Sequence, residues 1–220
     1  MRIQVKICGI STLTAARTAL ENGADYLGFI SFAKSPRHLS LQAMAGLMQA
    51  IRHENIHENR NVPLVSVVVN PDDDLLEALT TTVKPDMIQL HGKETPKRVA
   101  DIKSRFNIPL IKAISVSEKA DLNQAAAYEP YVDYLMFDAK TPKDAAMPGG
   151  LGLFFDWSLM HDYAGTKPWF LAGGLNADNA HKAVNTSGAL RLDVSSGVES
   201  VAGVKDNTLI SAFLKTAKSL

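Results

Sequence analysis

The chain has 220 residues, 46% hydrophobic and 21% charged, and its 23 basic and 23 acidic side chains cancel to a formal net charge of zero. That length suits one domain with a full core, expected to span residues 1–220. Zero net charge leaves no field of one sign to gather nucleic acid or an anionic membrane, so neither is an expected partner and any anionic ligand needs a local site. The start MRIQVKICGI is broken by Gly9 too early for a signal peptide, and the longest strongly apolar run, LVSVVV at 64–69, falls far short of a membrane span. With a single cysteine, Cys8, these features predict a cytoplasmic protein.

Short β-rich runs alternate with helical patterns along the chain. Residues 2–8 (RIQVKIC) form the first predicted strand, and STLTAARTALENG reads as a helix ending at Gly23. The second strand, 25–30 (DYLGFI), leads through the polar SFAKSPRHLS into SLQAMAGLMQAIRH, apolar at helical spacing. After strand three (64–69), Asn70 and Pro71 before DDD read as an N-cap, a proline in the first turn and acids at the positive helix end. Strand four, 87–90 (MIQL), ends at His91, and Thr95-Pro96 repeats the capping device. Strands five (109–114, PLIKAI) and six (132–137, VDYLMF) precede a long interval, DAKTPKDAAMPGGLGLFFDW. Its PGGLG core at 148–152 predicts either a loop that closes over a ligand or a plain surface excursion. Strand seven, 168–172 (PWFLA), runs into Gly173-Gly174, and NADNAHKAVNTSG reads as a helix stopped by Gly188. Strand eight, 189–194 (ALRLDV), runs into Ser195-Ser196-Gly197, and DNTLISAFLKTAK closes the chain as a helix.

Most of these strands begin about 22 residues apart, a spacing that suggests stacked strand–helix units. Alternation of this kind implies parallel strands, and eight units in one chain of this size predict a closed α/β barrel, the (β/α)8 TIM barrel. An open doubly wound sheet would carry an early GxGxxG, which is missing.

In such a barrel chemistry gathers at the C-terminal strand ends. The candidates there are Cys8, Lys34, Arg37, His38, His91, Asp138, the Gly173-Gly174 pair, Asp193, and Ser195-Ser196-Gly197. Glycine-rich ends on the seventh and eighth strands expose backbone N–H groups, so together they predict a phosphate site, although each alone would be read as a tight turn. Cys8 is either a buried packing residue or a base, and Asp138 is either a proton donor or a partner for Lys140. Lys6 shares strand parity with Cys8 and is read as inward-facing. It is a Schiff-base nucleophile or, at less energetic cost, an ion-pair partner of Asp138 or Asp193. Arg37, after Ser35-Pro36, is solvated or aimed at a carboxylate. His91 is solvated, held by backbone, or lines the pocket.

The ordered set KICGI, GFI…SPRHLS, QLHG, FDAK…PGGLG…FDW, LAGGLN and DVSSGVES…GVKD resembles phosphoribosylanthranilate isomerase of tryptophan biosynthesis over nearly the whole chain. The resemblance implies an enzyme that carries out an Amadori rearrangement of N-(5'-phosphoribosyl)anthranilate, a small phosphosugar-anthranilate substrate, without cofactor or metal. It implies Cys8 as general base, Asp138 as general acid, Arg37 on the anthranilate carboxylate, and the seventh and eighth loops on phosphate; His91 and Asp193, at the ends of strands four and eight, are expected as further substrate-binding residues. A monomer or weak homodimer is expected. Lys6 beside Cys8 is expected to favour its thiolate. The sequence departs from the family pattern at Leu151, where a serine or threonine is common, and at Ala202, where proline is frequent. The histidine-pathway sugar isomerase, which performs the same rearrangement, is disfavoured because strand one ends in cysteine and the loops VNPDDD and LHGKE lack a glycine cradle. A non-catalytic phosphate-binding barrel would require neither Cys8 nor Asp138.

Overall fold

A computed structural model describes residues 2–57, 61–140, 153 and 155–220, with side chains for all of these except 55–57. The anticipated loop at 148–152, with Leu151, lies outside the described residues. Eight parallel strands close on themselves in sequence order: β1 (Gln4–Cys8), β2 (Tyr26–Ser31), β3 (Leu64–Val68), β4 (Met87–Leu90), β5 (Leu110–Val116), β6 (Tyr134–Ala139), β7 (Trp169–Leu171) and β8 (Arg191–Val194). The closing pair is β1 with β8, registered through Lys6 opposite Asp193. Every expected strand is present, because strands buried on both faces read as continuous apolar runs.

Alternation sorts each strand into two faces. Tyr26, Val65, Met87, Ile111, Met136 and Phe170 fill the barrel, with the rings of Tyr26 and Phe170 edge to face at 5.2 Å. The outward residues Ile7, Phe29 and Phe137 join helix residues such as Met48, Ile102 and Phe213 in the layer between strands and helices, all fully buried. Burial of this kind, at roughly 25 cal/mol per Å2 of apolar surface, is the main force holding the barrel together.

The helices α1 (Leu13–Glu21), α2 (Leu41–His57), α4 (Pro96–Phe106), α6 (Ala180–Ser187) and α7 (Asn207–Lys218) fall where the periodicity places them, with a shorter α3 (Asp73–Ala78) after β3. Thr95 caps α4 through Arg98 N, and Gly188 ends α6 at a φ of 70°. One expectation fails at β3: Asp72, not Asn70, caps α3. Asn70 instead takes a left-handed φ of 46°, and its Oδ1 accepts from Lys93 N at 2.7 Å, tying the β3 and β4 loops together. Between β5 and β6 the return path is a four-residue α5 (Lys119–Leu122) and two 3-10 turns, so strict strand–helix alternation lapses there.

The N-terminal rim repeats one device. Asp25, Asp86 and Asp133 stand just before β2, β4 and β6, and each accepts from a backbone N–H at the start of the preceding strand, at Val5 N (2.7 Å), Leu64 N (2.7 Å) and Leu110 N (2.8 Å). Lys218, Arg52 and Lys103 neutralise the three carboxylates. These pairs secure the stable end of the barrel and leave the opposite mouth to the titratable groups. Among the described residues no helix is long and apolar enough to cross a membrane.

Candidate active site

β1 brings Lys6 and Cys8 to the same inward face. Glycine at 28 on the paired strand β2 makes room for both: a Cβ there would stand 2.8 Å from Lys6 Nζ and 3.0 Å from Cys8 Sγ. Lys6 Nζ donates to Asp193 Oδ1 at 2.8 Å, and the ammonium is completely buried. Burial opposes its charge, but Asp193 and Cys8 outweigh that and hold the lysine above its ordinary value. It is therefore a fixed cation, not a Schiff-base nucleophile, and Asp193 is its counter-ion.

Cys8 is 5% exposed. Burial pushes its thiol up, and the opposing pull of Lys6 does not overcome it. Lys6 does favour the thiolate, as expected, but burial outweighs it. The same enclosure that brings Lys6 close also desolvates the sulfur, and the Asp193 charge adds to the upward push.

Across the mouth, Asp138 stands near the end of β6. Its Oδ1 accepts from Ala139 N at 2.8 Å and its Oδ2 lies 3.2 Å from His91 Nε2. Lys140, the alternative partner suggested by sequence, pairs with Asp121 instead. Gly173, with φ of 87°, lets β7 pass close by, since a Cβ would come within 2.9 Å of Asp138 Oδ1. His91 is thus joined to the candidate acid, and its Nδ1 lies 2.8 Å from the amide nitrogen of Gln89, one inward position back on β4.

Arg37 is 3% exposed and makes a two-pronged pair with Glu199, Nε to Oε1 and Nη2 to Oε2 at 2.7 Å each. Lys205 Nζ also reaches Glu199 Oε1 at 2.6 Å and donates to Ser195 O at 3.0 Å. Burial works to raise Glu199, but Arg37 and Lys205 hold it below its ordinary value. Burial pulls Lys205 down. Lys34 and His38 are exposed and stay outside this cluster.

Glu199 and Lys205 sit on a small hairpin, β9 (Glu199–Val201) and β10 (Val204–Lys205), and were missed in sequence. Their signal was the charged pair in GVES…GVKD. Gly203, at φ of 89°, allows the hairpin to touch Pro36 O, so the SPR segment and the β8 loop form one unit.

The glycines after β7 and β8 have a packing reason as well as a ligand reason. A Cβ on Gly197 would collide with Leu175 O, so glycine there lets the two loops close against each other. Gly174 also takes a positive φ, 64°. Gly173, Gly174, Ser195, Ser196 and Gly197 are all half-buried, which leaves this double turn reachable at the barrel mouth.

Fold and site define a (β/α)8 barrel with buried acid, thiol and cation at its C-terminal mouth. Residues 5–216 match the family model described as N-(5'phosphoribosyl)anthranilate (PRA) isomerase, and the chain belongs to that family. It is 48% identical over 216 residues to the N-(5'-phosphoribosyl)anthranilate isomerase of Caulobacter sp. (strain K31), covering 98% of this chain and 99% of that one. The crystal structure of phosphoribosyl anthranilate isomerase from Thermotoga maritima superposes with a TM-score of 0.83 at 34% identity, covering 99% of this chain and 100% of that one. A crystal structure of phosphoribosyl anthranilate isomerase in complex with reduced 1-(o-carboxyphenylamino)-1-deoxyribulose 5-phosphate superposes with a TM-score of 0.82 at 32% identity, with 99% and 100% covered.

Proposed function

We propose that this chain converts N-(5'-phosphoribosyl)anthranilate to 1-(2-carboxyphenylamino)-1-deoxyribulose 5-phosphate by acid–base catalysis, as a monomer or weak homodimer in the cytoplasm. The observation that carries the mechanism is that Cys8, the last residue of β1, and Asp138, next to last in β6, lie at one mouth of a barrel belonging to this family.

Asp138 gives a proton to the furanose ring oxygen as the C1–O bond breaks, and the anthranilate nitrogen's lone pair forms the C1=N bond of a Schiff base. The iminium nitrogen acidifies C2–H, and Cys8 takes that proton to leave an enolamine, which becomes the ketone as C1 gains a proton and the C2 hydroxyl loses one. Cys8 acts as the thiolate, formed by loss of its proton to solvent before substrate fills the mouth, and the buried Lys6 ammonium favours that form. The β7 and β8 loops offer backbone N–H groups to the phosphate. Arg37, its plane fixed by Glu199, faces the carboxylate of the anthranilate ring.

The test is a steady-state assay of the purified protein, without added metal, following the loss of anthranilate-type fluorescence. Turnover abolished by both Asp138→Asn and Cys8→Ser is expected. A wild-type protein that binds the product analogue without turning over substrate overturns the reading in favour of a binding barrel.

A further inference from the structure

We propose that Gln89 is a positioning residue for this reaction: its amide selects which imidazole tautomer His91 turns toward Asp138, and so governs whether Asp138 holds a proton. This rests on Asp138 being the acid of the proposed mechanism.

Gln89 lies on the inward face of β4, is 1% exposed, and has Val67 and Ile111 as strand partners. Packing alone would favour an apolar residue there, because a buried amide must find partners. Its Nε2 reaches His91 Nδ1 at 2.8 Å and, more weakly, Met136 Sδ at 3.3 Å, while its Oε1 has no partner among the described residues. The other ring nitrogen, Nε2, lies 3.2 Å from Asp138 Oδ2. Gln89, His91 and Asp138 therefore form one line with the imidazole in the middle.

An imidazole that accepts at one nitrogen and donates at the other links the two ends. With the amide N–H donating to Nδ1, the ring proton sits on Nε2 and points at Asp138, which favours the carboxylate. With the amide turned over, Oε1 accepts from Nδ1–H, and Nε2 accepts from a protonated Asp138. The second state holds one proton more than the first, and that proton is the one delivered to the ring oxygen. Turning the amide exchanges the N–H···Nδ1 bond for Nδ1–H···Oε1, and because Oε1 has no partner to lose among the described residues, the one contact given up without replacement is the weak one to sulfur. Neighbouring strands do not compete for control of Asp138. β5 places Ser115 beside it and β7 passes with Gly173, neither of them charged. The cations Lys140, Lys6, Lys112 and Lys205 are paired with Asp121, Asp193, Glu94 and Glu199.

The experiment compares wild type, Gln89→Met and Gln89→Glu. Methionine keeps the volume and removes the hydrogen bond, and it serves where a buried glutamate impairs folding. Nitrogen-15 chemical shifts of His91 in the resting protein near neutral pH report the tautomer without turnover. We expect the proton on Nε2 in wild type, on Nδ1 or on both nitrogens in Gln89→Glu, and in exchange between the two in Gln89→Met. The limb of the kcat/KM profile that reports the acid should move by about one pH unit, the scale of one hydrogen bond's preference. An unchanged tautomer in both variants, or a changed tautomer with an unmoved limb, overturns the proposal even if activity falls. The tautomer readout is separate from turnover, so failure of the isomerase reading would be recognised independently.

Discussion

Asp138 Oδ2 stands 3.2 Å from His91 Nε2, while Lys140, two residues further on, turns to Asp121 at 3.3 Å. The carboxyl at the end of β6 is thus paired with a titratable ring and not with a permanent cation. Asp138→Asn keeps the shape and the contact to His91 but has no transferable proton. Turnover should fall about 10²–10⁴-fold, the usual cost of losing a general acid. Binding of a reduced product analogue should stay near wild type. Near-normal turnover in the purified variant would remove Asp138 from the mechanism.

Arg37→Lys keeps the charge that Glu199 requires and loses the planar fork. Binding of the product analogue, with its aromatic carboxylate, should weaken more than binding of a simple pentose phosphate. Calorimetric titration of both ligands decides it, and equal losses would make Arg37 a structural residue.

The Glu199 side chain is 3% exposed and holds two cations. Glu199→Ala would leave Arg37 and Lys205 facing each other across a buried gap, a loss of roughly 3–5 kcal/mol. Acid should act in the same direction. The folded carboxyl titrates below its ordinary 4.5, so its contribution is full above that value and is lost as pH falls through the lower, folded one. Denaturant unfolding across this range should show stability falling with acid in wild type. In Glu199→Gln the slope should be shallower and the neutral-pH stability lower. Identical slopes would show that Glu199 is not coupled to the fold.

The sequence displayed the barrel because eight buried parallel strands read as apolar runs at a steady spacing, and strand parity alone carried Lys6 inward to meet Asp193. Asn70 misled because its usual preference for a cap lost to a contact with Lys93 N, a loop 23 residues away. Glu199 and Lys205 stayed hidden because a hairpin of three and two residues is too short to show a period. Gln89 looked like one more strand residue: nothing local marks an amide whose strong partner, among the described residues, is a ring two residues on. The charge state of Cys8 was illegible for another reason. Sequence shows the lysine that lowers a thiol's pKa, but not the desolvation that raises it.

That last balance gives the sharpest test of Cys8. It is the sole cysteine, so alkylation reports on this position without ambiguity. Thiolate is the reactive form, and burial holds the thiol above its ordinary value despite the Lys6 ammonium. Iodoacetamide should therefore react slowly with the native protein near neutral pH. The rate should climb as pH rises, with a midpoint above that of the same cysteine in the unfolded chain. One adduct per chain should accompany loss of turnover, and a bound product analogue should slow both. Lys6→Met, which removes the cation and keeps the bulk, should shift the alkylation profile to still higher pH. Mass spectrometry after timed alkylation, set beside residual activity, reads all of this. Full activity in a completely alkylated protein would return Cys8 to packing, and fast alkylation at neutral pH would show that the Lys6 field, not burial, governs the sulfur.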